Sequence, residues 1–551
     1  MKNSKTNIKP IVINQFQMKF KIKLYFLSIC LTCLTAFAQN NIPKKYSKKI
    51  SEPFKSGKNS SALYNASGGG GFVFSNGKEI LSCNFKDGVI MIKKIDSEKL
   101  TVIKENRFEK FFAKNYFLVD CIKLNNRYFV FYSSWDGDAK KEQVFSAEID
   151  FDKCEFVGAP KLLLQVDGKV SGYNSDFLYF NLTESSNEKS IAVNYVKDPE
   201  NKKSSQIIGV KVFDENLNQI SASEIALPYN ENEVNCSDFR LDNNGDFYWV
   251  AKVFHDDSRN DKKNKKDLVA NFHYEICSIK FEGKTINAIK IEDKDNVINE
   301  LRLFVTPKNL FVCGGTYSNG SSDVMDTDGY VGFKISPEGK IYDKVFSEFT
   351  LAVLKKYRSE KEQKNIDKIH TKGESNGLYK VFLKDVYVCE NGDFVFIGEQ
   401  KYTYSPTNGR NVDFYMDLLV SKVKTNGNLV WLNKIPKKEV DVKSSWYVNS
   451  NNNHYLIFVD DIHNINLPLD KNPDAAFGGH DEYMSVVKIS DSDGSVNGGE
   501  IFNNMDFKNY NIKKYMLQRH YPFKISENEI VFEINQTNNS SGDVIVKVNL
   551  D

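Results

Sequence analysis

The stretch Val381–Lys437 reads VFLKDVYVCENGDFVFIGEQ over 381–400 and DLLVSKVKTNGNLVWLNKIPK over 417–437, with a polar segment between them. Apolar and polar residues alternate in short runs, and Asn, Gly and Asp interrupt them at 391–393 and 426–428. Period-two alternation bounded by residues that tolerate left-handed backbone is the signature of strands joined by tight turns. The segment therefore reads as four strands in up-and-down order.

The rest of the chain reads as degenerate copies of this unit. Its most regular piece, the third strand, recurs as MIKKI at Met91, FSAEI at Phe145, IGVKV at Ile208, CSIKF at Cys277, VGFKI at Val331, LVSKV at Leu419, SVVKI at Ser485 and VIVKV at Val544. The spacing averages about 65 residues, above the roughly 40 to 50 of a minimal four-stranded blade, so each unit must carry extra loop. Repeated four-stranded units with no helical period between them predict an all-β fold, a single β-propeller of about eight blades around a central channel. The blades are expected at 68–112, 113–168, 173–228, 234–292, 297–348, 377–437, 443–505 and 510–551, with an insertion at 349–376. The last unit supplies only three strands, so the polar arm 39–67 is expected to provide the fourth and close the ring.

Residues 1–38 contain six Lys and no acid. From Met18 they run as a basic start (Lys19, Lys21, Lys23), an apolar core Leu24–Leu34 and Ala36-Phe37-Ala38, the three-part order of a secretory signal with an A-x-A site. The expectation is translation from Met18, cleavage before Gln39, and export to the periplasm or beyond. Neither Cys30 nor Cys33 follows the small residue that lipidation needs, so no lipid anchor is expected. The mature chain would carry 68 basic and 72 acidic side chains, a formal charge of −4. That balance argues against a nucleic-acid partner, and no later apolar run is long enough for a transmembrane span. Seven Cys remain, mostly inside apparent strands, where they read as small buried apolar residues rather than a disulfide framework.

The segments NGDFVFIGE at Asn391, LFVCGGTYSNG at Leu310 and DTDGYVGFKISPEGK at Asp326 resemble the bacterial β-propeller repeat family named for seven-bladed propellers, in which V-x-G-T is followed by D-x-F/Y-V-x-K. The match lies mainly in the fifth and sixth units. The resemblance implies the propeller fold and no catalytic residues; its name implies seven blades where the strand count gives eight.

Connections between strands one and two, and three and four, are tight, as in ENGD and SPEGK. Those between strands two and three are longer: Trp135–Glu142, Lys197–Ser205, His255–Asn271, Thr316–Asp328, Gln400–Met416 and Asp460–Glu482. In an up-and-down blade these share one face with the blade-to-blade connections, which points to that face for ligand binding. The best chemical candidates there are Asp460, Asp461, His463, His480 and Asp481. Carboxylates with imidazoles suit a divalent cation, and paired carboxylates suit hydrolysis of a glycosidic bond. Without ligand spacing such as H-x-x-x-H they read first as a hydrated polar loop and only second as a site. Trp135, Asp136, Tyr402, Tyr404 and Phe414 offer rings and a carboxylate for stacking on sugars or peptides. Asp323, Asp326 and Asp328 before Gly329 are weak metal candidates, since Val324 breaks the calcium-loop order. The Lys recurring in the third strands (Lys94, Lys211, Lys280, Lys334, Lys422, Lys488, Lys547) reads as scaffold, its charge in water.

The sequence thus predicts an exported binding or scaffold propeller for a protein or glycan of the cell envelope. The alternative is a carbohydrate-active hydrolase drawing on Asp136, Asp138, Asp323, Asp328, Asp460 and Asp481. No cofactor is predicted; a divalent cation is the one ligand of that kind that the carboxylate and imidazole residues would suit.

Overall fold

Blade 6 shows how this sequence becomes structure. In the computed structural model its strands are Val381–Val388, Phe394–Tyr404, Val412–Val423 and Leu429–Ile435, paired antiparallel in that order. Gly392 at φ 89° and Gly427 at φ 87° sit in its two tight turns, in left-handed backbone that glycine adopts without strain. The second strand is buried continuously from Phe394 to Gln400 because neighbouring blades cover both of its faces. Outer strands instead alternate, as Val102–Glu109 does between half-buried and exposed positions.

The structure describes residues 44–54, 71–86, 88–113, 116–168, 180–197, 204–262, 270–319, 326–372, 377–406, 409–441, 443–477, 482–503, 505–507, 521–534 and 544–550. The signal-peptide reading, Asp323, His480 and Asp481 lie outside them. Contacts divide the chain after Lys44, and everything below concerns the second unit.

Eight sheets form a ring of four-stranded blades. Blades 1 to 4 occupy 71–109, 116–167, 181–230 and 234–291. Blade 5 is Asn296–Val305, Phe311–Asn319, Gly329–Ile335 and Ile341–Glu348; blade 7 is Trp446–Ser450, Asn453–Asp461, Glu482–Ser490 and Val496–Asn503. Blade 8 takes Phe523–Lys524, Glu529–Ile534 and Val544–Asn549 from the end of the chain and Lys48–Ile50 from its start. The first strands of blades 2 to 6 touch one another in succession, which puts them at the centre.

Each buried cluster joins two adjacent blades. Tyr455 and Met484 of blade 7 pack with Phe532 and Val546 of blade 8, and Ile80 and Ile95 of blade 1 pack with Val531 and Ile545 of blade 8. The remaining clusters join blades 1–2, 2–3, 3–4, 4–5, 5–6 and 6–7. The closing strand is held from both sides: Lys48, Lys49 and Ile50 pair with Val548, Lys547 and Val546, and Tyr46 is buried edge-on against Tyr455 at 6.4 Å. Ser51 N–H donates to Ile545 O at 2.9 Å, and Ile545 N–H returns to Ser51 Oγ at 2.9 Å.

Four features depart from expectation. The connection at Trp135–Glu142 is only a turn, because the flanking strands Arg127–Asp136 and Lys141–Asp150 continue into it. Gln400–Met416 is mostly a β-hairpin rather than a loop. The insertion holds two helices, α1 (Leu351–Lys355) and α2 (Glu360–Thr371), each started by a hydroxyl cap, Thr350 and Ser359. Val353 and Leu354 of α1 join the blade 5–6 core, whereas α2 buries no residue.

The third-strand lysines are the fourth departure, since several do not place their charge in water. Lys422, 8% exposed along its side chain, meets Asp491 of blade 7 at 2.5 Å. Lys334 donates to Gly392 O of blade 6 at 3.0 Å, Lys280 to Pro337 O of blade 5 at 3.0 Å, and Lys94 lies 3.6 Å from Asp152 of blade 2. The stem crosses the interface and the ammonium is spent on the next blade's turn. All seven described cysteines are free thiols, five of them buried.

Tyr46→Ala removes a buried ring from the seam that closes the circle. We expect roughly 3 kcal/mol less unfolding free energy, with one cooperative transition retained. Denaturant titration checks this; a change below about 1 kcal/mol would show that the closing strand contributes little.

Candidate functional site

The long connections of blades 5 to 7 build a second layer of β-structure on their shared face. Blade 6 strands two and three bend at a register shift between Glu399 and Lys401 and continue as a hairpin, pairing Lys401 with Tyr415, Tyr402 with Phe414, Thr403 with Asp413 and Tyr404 with Val412. On one side, Lys401 N–H donates to Lys380 O at 3.0 Å, and Leu378–Tyr379 pairs with Asp326–Thr327. On the other side, Phe414 and Tyr415 pair with Val440 and Glu439, and Val440 N–H reaches Ala476 O at 2.9 Å. Tyr357, between α1 and α2, braces the assembly: its one O–H lies 2.5 Å from Leu469 O and 3.1 Å from Lys434 O, and the nearer carbonyl is the better acceptor.

Alternation along the hairpin gives it two unlike sides. Lys401, Thr403, Asp413 and Tyr415 face an open cleft of about 530 Å³, completed by Arg410, Asn411, Asp441 and Lys443. Tyr402 and Phe414 stack on the other side at 4.8 Å, with Tyr404 beyond them. Tyr379, Phe382, Tyr404, Phe477 and Met505, all from blades 6 and 7 or their connections on this face, are between 43% and 71% exposed. The other large exposed apolar residues sit on outer strands or tight turns. A second cleft of about 430 Å³ lies between α1, α2 and Gly377–Leu378.

Below the hairpin lies a buried ion network. Lys437 contacts Glu399 at 2.9 Å and Glu439 at 2.5 Å, Lys384 contacts Glu399 at 3.0 Å, and Ser445 donates to Glu399 at 2.7 Å. Ser444 donates to Glu439 and receives Val459 N–H at 2.8 Å. Burial alone would raise the Glu399 carboxyl; the Lys437 and Lys384 ammoniums instead hold it at about 2. Such a network fixes the blade 6–7 connection, because losing one partner strands the others' charges.

The structure brings Asp460, Asp461 and His463 together, but chiefly as builders of a turn. Asp460 is buried and accepts from Asn464 Nδ2 at 2.7 Å, Asp461 N–H at 2.9 Å and Tyr483 Oη at 3.3 Å. Asp461 caps the 3-10 turn Ile462–Asn464 and meets His463 Nδ1 at 2.7 Å. The segment they begin is therefore part of the rim: its own residues Asn464, Ala476 and Glu482 are buried, so it is packed structure rather than a removable loop. Asp136 accepts Asp138 N–H at 3.1 Å and Ala139 N–H at 2.9 Å, again a turn; Trp135 ends the same strand. Asp328 is buried and accepts Asn319 N–H at 2.8 Å, while Asp326 belongs to the short rim strand. Among the described residues no three His, Cys, Asp or Glu side chains are grouped to hold a metal.

Sequence reading missed the charged residues of the inner strands. Blades 2, 4, 5 and 6 each carry a register shift in the first strand, immediately before Asp120, Arg240, Glu300 and Asp385. Arg302 ties three blades together, donating to Lys384 O at 2.9 Å and lying 3.4 Å from Asp238. Glu300 accepts Leu383 N–H at 2.8 Å. Burial pushes Asp120 up to about 6 and Glu300 up to about 7; burial plus the charges of Asp120 and Glu188 takes Glu184 to about 7. A charge interrupting an apolar first strand at the same place in several units was the available signal.

Burial also pushes Asp460 up to about 6, its hydrogen bonds offsetting part of the rise. The folded state thus holds this proton more tightly than the unfolded chain, whose carboxyl titrates near 4. The resulting stability is present below about pH 4 and lost as pH rises through 6. Asp120, Glu184 and Glu300 act in the same direction. Asp460→Asn preserves the shape and the acceptor oxygen. It should reduce the loss of stability between pH 5 and pH 8 by about 1.4 kcal/mol. Denaturant midpoints at both pH values check this, and an unchanged pH slope in the variant would contradict it.

No protein-family model and no curated protein matches the chain. Among solved structures it is similar to an uncharacterized protein from Listeria monocytogenes EGD-e, with 8% identity and a TM-score of 0.34 over 90% of this chain and 98% of that one. The Dos1 propeller gives 10% identity and a TM-score of 0.33 over 87% of this chain and 79% of that one. An apocarotenoid oxygenase variant from Synechocystis gives 8% and 0.32 over 66% and 71%. None is close enough to transfer an activity, and the fold rests on the eight sheets themselves. No helix among the described residues is long and apolar enough to cross a membrane. A propeller of this build supports a binding or scaffold module in general terms.

Proposed function

We propose that the protein is an exported binding module that takes a glycan of the cell envelope on the rim of blades 5 to 7, without turning it over. One observation carries this reading. On the same rim, blades 5 to 7 and their connections carry both exposed rings (Tyr379, Phe382, Tyr404, Phe477) and a polar cleft of about 530 Å³. Rings supply flat apolar area with little entropy to lose, and convergent polar groups fix orientation. The hairpin is anchored over a buried ion network, so the surface is preorganised and less ordering cost falls on binding. Export is supported by the signal-like order of residues 19–38.

Binding is favoured over hydrolysis by what the carboxylates already do. Asp136, Asp328 and Asp460 each accept backbone N–H groups that hold a turn or strand end, whereas a glycosidase needs two carboxyl groups committed to the scissile bond.

Electrophoresis of the intact protein through gels containing a soluble polysaccharide tests the proposal. Retardation is expected in at least one of polygalacturonate, dextran sulfate and dextran. The double variant Tyr404→Ala/Phe477→Ala should lose at least tenfold in affinity while keeping its thermal midpoint. Undiminished retardation of a folded double variant would refute the rim as the site.

A further inference from the structure

We infer that the cleft beside the blade 6 hairpin takes an acidic sugar unit, carboxylated or sulfated, and that the ligand is therefore an acidic polysaccharide. The inference rests on the reading of the rim as a glycan surface and specifies its chemistry.

Donors and acceptors do not balance in the cleft. Asp413 accepts from Thr403 Oγ1 at 2.6 Å on one carboxylate oxygen and lies 3.3 Å from Lys401 Nζ on the other. Asp441 accepts Asp413 N–H at 2.9 Å on one oxygen and Arg410 at 3.0 Å on the other. Every carboxylate oxygen lining the cleft already has a protein donor.

The cations are not used up in the same way. A guanidinium carries five N–H donors and an ammonium three, and among the described residues Arg410 spends one of its five on Asp441. Lys443 is exposed and makes no hydrogen bond or ion pair among the described residues. The floor adds no spare negative charge, because Glu399 and Glu439 are paired with Lys384 and Lys437. The cleft thus presents three cations against two committed carboxylates. A ligand completing it must bring acceptors and negative charge, for which an Arg beside a Lys is the suited recognition pair. Tyr415 in the cleft wall offers a ring to the sugar body that carries the anion.

The same gel experiment separates the sources. Polygalacturonate supplies carboxylates, dextran sulfate supplies sulfates, and dextran supplies neither. Retardation should occur in one or both acidic polymers and be at least tenfold weaker in Lys443→Glu and in Arg410→Gln. Lys443→Arg should restore it. Lys424→Glu, an equal charge change in a tight turn on the opposite face, should alter it less than twofold. The inference is overturned if dextran binds as well as the acidic polymers, or if Lys424→Glu weakens binding as much as Lys443→Glu. Should dextran retardation vanish in Tyr404→Ala/Phe477→Ala while the charge variants bind normally, the glycan reading stands and the acidic specificity alone falls. Retardation in none of the three overturns both.

Discussion

A blade with apolar residues on both faces cannot bury itself, so every sheet in this protein depends on its neighbours and the row of sheets must close. Closure is made by three residues, Lys48–Ile50, pairing with Val546–Val548 across nearly the whole length of the chain. The seam between blades 8 and 1 has a small shared core, with Ile80, Ile95, Leu100, Val531 and Ile545. The ends are therefore joined mainly inside blade 8, by backbone pairing and Tyr46, rather than at the seam. Without that strand the last sheet would present an unpaired edge, which natural β-proteins avoid.

The two faces of the ring do different work. On the tight-turn face, Lys94, Lys280, Lys334 and Lys422 reach from one blade to the next, and Trp431 donates to Asp491 O at 3.0 Å across the same boundary. Gly494, at φ 70°, sits where any Cβ would lie 2.5 Å from the Trp431 ring. Close packing and near-buried charge leave little room for variation there. The opposite face carries the long connections, and in blades 5 to 7 these have been organised into a sheet. The burden of holding the ring lies on one side, which leaves the other available for recognition.

The propeller was legible because alternation and turn residues act locally, and each unit repeats them. The missing fourth strand of blade 8 could be inferred because a sheet edge demands a partner. The rim sheet was not legible: Lys380, Lys401, Asp413, Val440 and Ala476 come from separate connections, and nothing in their local sequence says that they share a ribbon. Reading Gln400–Met416 as loop failed for a related reason, since polar residues on one side of an exposed hairpin look like loop composition. Asp460 was noticed for its chemistry, but its burial beside Asn464 and Tyr483 depends on tertiary packing. The third-strand lysines show the converse error. A residue repeated in seven of the eight units was read as scaffold with its charge in water, yet for Lys94, Lys280, Lys334 and Lys422 an acceptor lies one blade away.

Recognition on this face requires the rim to be built structure rather than a set of tolerated insertions. Amide hydrogen exchange of the intact protein, followed through fragments covering 400–416, 438–441 and 462–477, tests that directly. Protection approaching that of the blade 6 strands is the expected result for the described amides of this ribbon, with Lys401, Val440, Asp441 and Ala476 slow to exchange. Exchange of these amides as fast as in an unfolded chain would contradict it.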